Sequence, residues 1–113
     1  MLKTSAVAGV VGVMLVAWSF MPVGTQAANH AVAAYGKAVF QAKGCEACHA
    51  HAAVSSPSFE VGPSLTNYRA DLAYLQRWLR DPQAVKPTTM PNLNLSDDEI
   101  AALVTFLSEN NNQ

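Results

Sequence analysis

The chain has 113 residues, of which half are hydrophobic and 13% charged, with 7 Lys and Arg set against 8 Asp and Glu. That length holds one small domain. A formal net charge of −1 is too mild to point to nucleic acid or to an acidic membrane surface as the partner.

The chain begins with a short basic start, Met1-Leu2-Lys3, followed by an uncharged run over 5–21 rich in Ala, Val, Gly and Leu. Pro22 and Gly24 break that run, and Thr25 and Ala27 place small residues at the minus-three and minus-one positions of a cut after Ala27. This pattern predicts a secretory signal peptide over 1–27. The rival reading is an uncleaved anchor, but the run is at the short edge of the about 20 residues a spanning helix needs. Both readings put the domain, 28–113, outside the cytoplasm: periplasmic and soluble, or anchored facing outward. The cut removes Lys3 as its only charged residue, leaving 86 residues with a net charge of −2. A domain so near the roughly 70–80 residues below which staples are usual gains from a covalently held group to pack around.

A first helix is predicted over 32–42, with Val32, Gly36, Val39 and Phe40 on one face. Gly36 costs helix stability relative to alanine and suggests close approach by another backbone. Gly44 ends the helix. Cys45-Glu46-Ala47-Cys48-His49 follows at once.

C-x-x-C-H can take a haem through two thioether bonds, with the histidine beneath the iron as proximal ligand. The other readings of the five residues are weaker. A thioredoxin-like dithiol needs a preceding strand, and the preceding segment reads as helix. A structural zinc site needs four ligands, and only His51 and His30 are at hand beyond the pentapeptide. A plain disulfide leaves His49 unexplained.

Residues 50–67 have no period and read as a loop that wraps a cofactor edge. Within it, Gly62-Pro63-Ser64-Leu65 offers a proline carbonyl that can accept a hydrogen bond from the outer nitrogen of His49, setting its tautomer and orientation. A second helix is predicted over 71–80, capped by Asp71, with Leu72, Leu75 and Leu79 on a stripe, Trp78 beside it and Pro82 as the stop. The segment 86–92 has no period. Ser96 and Glu99 form a capping box for a third helix whose face is Ile100, Leu103, Val104 and Leu107, flanked by Phe106; residues 110–113 read as a frayed tail.

Four methionines stand at positions 1, 14, 21 and 90, so Met90 is the one thioether left after cleavage. A lone methionine is most often packing material. This one is stiffened by Pro87 and Pro91, and a stiff loop can hold a weak ligand on iron. The competitors are His51, tethered two residues from His49, and His30, near the mature N-terminus; both are expected to be solvent-exposed or at a haem edge. Tyr68, Arg69, Trp78 and Lys86 are candidate partners for the haem propionates.

Taken in order, the helix with Gly36 and Phe40, Cys45–His49, Gly62-Pro63-x-Leu65, Met90-Pro91 and the helix with Phe106 resemble the class I (mitochondrial-type) cytochrome c family across the whole mature chain. Trp-Leu-Arg-Asp-Pro at 78–82 and Met-Pro-Asn-Leu at 90–93 look especially like the cytochrome c domain of bacterial haem-copper oxidase subunit II. The resemblance implies an all-α fold of three main helices and loops around one covalent haem c, with Gly36 and Phe106 at the crossing of the first and last helices. It implies Cys45, Cys48, His49, Pro63, Leu65 and Met90 as the cofactor-binding set, with His49 and Met90 on the iron. The expected function is that of an electron carrier, not an enzyme, docking transiently with membrane oxidases or reductases. Two alternatives stay open: a subunit through which electrons enter one redox complex, and a haem enzyme or gas sensor with a displaceable sixth ligand.

Overall fold

A computed structural model describes residues 24–69 and 71–109, together with Gly9 and Gly12. Apart from Gly9 and Gly12, the predicted signal segment therefore lies outside the described residues up to position 23, as does the tail over 110–113. Among the described residues all regular structure is helical: α1 (Thr25–Ala42), α2 (Cys45–Cys48), α3 (Leu72–Arg80), α4 (Pro82–Val85) and α5 (Asp97–Ser108). No described helix is long and apolar enough to cross a membrane.

α1 starts seven residues before the predicted position 32. Gln26 and the alanines at 27, 28, 31, 33 and 34 are strong helix formers, and they extend the helix although 25–32 are all exposed. The buried stripe is Ala33, Gly36, Val39 and Phe40. Val32, expected on that face, is 40% exposed; it has the stripe's period but precedes Ala33, the first buried residue of the helix. The helix closes where Lys43 donates to the Val39 carbonyl and Gly44 to the Gln41 carbonyl. Gly44 then takes a left-handed φ of 74°, which only glycine adopts at no steric cost. That turn starts α2 directly.

α3 is capped as expected: the Asp71 carboxylate accepts from the Ala73 amide at 3.0 Å. Leu75 and Leu79 are buried, but Leu72, the first residue of the helix, is 43% exposed. Pro82 does more than stop α3. Asp81 has extended backbone and caps the next turn, its carboxylate accepting from Ala84, and Pro82 occupies the first position of α4, where its missing N–H costs nothing. α5 carries both arms of the capping box: Ser96 Oγ accepts from the Glu99 amide at 3.2 Å, and Glu99 Oε2 accepts from the Ser96 amide at 2.9 Å.

α1 and α5 cross at Gly36. A Cβ there would overlap the Ala102 carbonyl oxygen, and would lie 2.6 Å from the Ala102 carbonyl carbon and 2.7 Å from Phe106 Cβ. The two helices are in backbone contact, which places Phe40, Leu103, Phe106 and Leu107 in one core with Leu75, Leu79 and Ile100.

His51 also belongs to this core. It is 4% exposed, with its ring centroid 4.5 Å from that of Phe106 and 5.9 Å from that of Phe40. The expectation of an exposed or haem-edge histidine is corrected: the turn after His49 carries the next side chain but one inward, against the helix crossing. Its Nδ1 accepts from the Ala53 amide at 3.1 Å, and burial pushes its pKa below the ordinary imidazole value, with Lys37 adding to the effect.

Candidate functional site

The loop after α2 is tied back to it by main-chain bonds. Phe59 donates to the Ala47 carbonyl, Gly62 to Cys48 and Leu65 to Ala50, each at 2.9 Å. This brings Pro63 beside His49, whose Nδ1–H donates to the Pro63 carbonyl at 2.8 Å. A carbonyl can only accept, so the proton sits on Nδ1 and a neutral ring keeps its lone pair on Nε2. Gly62 lies against the same ring. A Cβ there would overlap His49 Cε1 and come within 2.6 Å of Nδ1, so any side chain would displace the imidazole. The bare Gly-Pro turn gives no sign of this contact, which depends on the loop folding back.

Cys45, Cys48, His49 and Met90 all line one cavity of about 530 Å³, as do Pro63 and Leu65. That volume is within the roughly 300–1,000 Å³ of small-molecule and cofactor clefts. Core side chains Phe40, Leu75, Leu79, Leu103 and Leu107 supply apolar wall, and among the described residues the only charged side chains in the lining are Lys43 and Lys86. Of the four candidate propionate partners Tyr68, Trp78 and Lys86 line the cavity; Arg69 does not. A large flat apolar group with acidic substituents fits such a lining, and the two cysteines, which form no disulfide, are available to hold it.

Met90 is held from two directions. Its amide donates to Thr88 Oγ1 at 3.2 Å, and its sulfur accepts the Trp78 indole N–H at 3.0 Å. The Trp78 ring stacks on Tyr74, centroids 6.1 Å apart, and the Lys86 ammonium sits 5.3 Å from its centroid. The spacing of Trp78 and Met90, twelve residues apart across Pro82 and Pro87, gives no local signal of this pairing.

The rival chemistries lose ground. Reactive dithiols have a lowered thiol pKa, whereas burial pushes the Cys45 thiol up, and charge on Cys48 and Glu46 adds to that. Among the described residues no group of three or more His, Cys, Asp or Glu is placed to hold a metal ion. His51 is packed between aromatic rings, and His30 is bonded to Glu109 at 3.0 Å.

A family model described as cytochrome c oxidase, cbb3-type, subunit III matches residues 31–107. The chain belongs to this family. No curated protein and no solved structure matches the chain. As a cytochrome c domain of the cbb3-type subunit III family, it has a haem-binding, electron-transfer function, and its helices without strand fit a small all-α cytochrome c fold. The match runs from the interior of α1 to the last turn of α5 and so includes Cys45–His49 and Met90.

Proposed function

We propose that the protein is an exported single-haem cytochrome c that passes one electron at a time between respiratory or other redox complexes. Cys45 and Cys48 hold the haem through thioether bonds, His49 and Met90 are the axial ligands, and Pro63 and Leu65 complete the binding set. The observation that carries this reading is the convergence of both cysteines, His49 and Met90 on one apolar cavity, with His49 Nδ1 already committed to Pro63. That bond orients the ring and leaves Nε2 as the ligating atom. Pro87, Pro91 and the Thr88 and Trp78 contacts keep Met90 at the cavity wall. A haem with His and Met ligands supplies a reversible one-electron couple at raised potential. The apolar wall formed by Leu75, Leu79, Leu103 and Leu107 excludes water and disfavours the extra charge of the oxidised state.

Mass spectrometry of the protein purified from its native host tests the attachment and the processing together. The expected mass is that of residues 28–113 plus one haem, retained through acid-acetone extraction. Cys45→Ala combined with Cys48→Ala should yield protein without covalent haem. Haem that extracts from the native protein refutes the attachment.

A second reading, a subunit through which electrons enter one enzyme complex, is favoured by the oxidase subunit for which the matching family is named. Gentle purification from native membranes separates the two. A stoichiometric oxidase partner supports the subunit, and its absence supports the free shuttle.

A further inference from the structure

Among the described residues the lining of the cavity holds two cations, and they are differently engaged. Lys43 Nζ is 3.5 Å from Glu99 Oε1. Lys86 has no carboxylate within ion-pair distance among the described residues, and its ammonium lies over the Trp78 ring at 5.3 Å. The same indole spends its only donor on Met90 Sδ. One ring therefore stands between a fixed positive charge and the candidate axial sulfur.

We infer that Lys86 is a positioning residue that tunes the site through Trp78 and Met90. This rests on the reading of Met90 as the sixth ligand. A cation over an aromatic face draws electron density toward that face, which makes the indole N–H more acidic and its bond to sulfur stronger. A sulfur that donates more to the hydrogen bond donates less to iron, and weaker donation favours the reduced state. Lys86 thus raises the potential by a route additional to its direct field, and Trp78 is the element that transmits it.

The test is a double-mutant cycle read in the midpoint potential of the haem-loaded protein. A cation–π contact is worth a few-fold in an equilibrium constant, so Lys86→Met should lower the reduced-to-oxidised ratio at fixed ambient potential about threefold. At 59 mV per tenfold for one electron this is a shift of about 28 mV downward. Lys86→Arg should restore it, because guanidinium stacks on aromatic faces. In a Trp78→Phe background, which keeps a ring but removes the N–H, Lys86→Met should have less than half that effect. An undiminished effect in that background means the charge acts directly on the iron and overturns the inference. Should Trp78→Phe fail to fold, fluorinated tryptophan breaks the same relay at its other end: it drains the ring face while retaining the N–H. Lys86→Met should then again have less than half its effect, and an undiminished effect overturns the inference; Trp18 and Trp78 are the only tryptophans. The reading of Met90 is checked separately in the unmutated protein. Carbon monoxide binding to the native reduced form defeats the ligation, whereas exclusion of carbon monoxide with a potential insensitive to Lys86→Met defeats this inference alone.

Discussion

The Trp78 indole nitrogen lies 3.0 Å from the Met90 sulfur, joining α3 to the irregular segment that leads into α5. Neither residue has a strong reason to be where it is without the other. Trp78 is half-buried and needs a partner for its N–H. Met90 sits in a segment without secondary structure, so its side chain is placed by this bond and by the flanking prolines. The arrangement fixes a soft sulfur at the wall of the cavity that also receives His49.

Gly36→Ala should destabilise the domain by about 1–3 kcal/mol, the usual range for overpacking. The added methyl would overlap the Ala102 carbonyl, and a main-chain atom cannot yield as a flexible side chain would. A lowered denaturant midpoint with unchanged slope is the expected result. A neutral or stabilising effect, as alanine gives in an open helix, would mean that α1 and α5 are not in backbone contact.

Gly62→Ala should leave the core intact and disturb His49. The new Cβ would occupy the space of the imidazole, so the His49–Pro63 bond should lengthen or break. The expected signature is a changed axial electron paramagnetic resonance spectrum with a denaturant midpoint lowered less than by Gly36→Ala. An unchanged spectrum would show that the ring does not depend on Gly62.

Acid sensitivity should come in part from Glu99. The Ser96 amide holds its carboxylate below the ordinary range, and Lys43 assists. A carboxyl whose pKa is depressed on folding contributes stability that is complete above its unfolded value, about 4.3, and is lost as pH falls through the folded value. Glu99→Gln should therefore flatten the acid limb of a stability profile below about pH 5, most visibly at low salt. Parallel profiles for the two proteins would remove Glu99 from the account.

Legibility in the sequence followed the range of the interaction. The Ser96–Glu99 box and the Asp71 cap were readable because donor and acceptor are within three residues of one another. Cys45, Cys48 and His49 could be nominated because covalent chemistry dictates their spacing, and Met90 because the proposed cut after Ala27 would leave no other thioether; the structure brings the four to one cavity. His51 was misread because its burial depends on the α1–α5 crossing, whose α5 side, at Ala102 and Phe106, is distant in the chain. Leu72 and Val32 have the right period for a core stripe, but helix periodicity says nothing of where the partner element ends. The contacts of Gly62 with His49, and of Lys86 with Trp78, form only once the loops fold back, so composition could at most nominate the residues.

Met90 carries the central claim, and the reduced protein's absorption spectrum with and without carbon monoxide tests it most directly. If the Met90 sulfur is the sixth ligand, as proposed, the native protein should show no spectral change on adding the gas. Met90→Ala should keep its covalent haem, bind carbon monoxide rapidly and stoichiometrically, and have a lower potential. Rapid stoichiometric binding by the native protein, or a Met90→Ala variant with unchanged potential and ligand exclusion, would contradict the closed His49–Met90 centre.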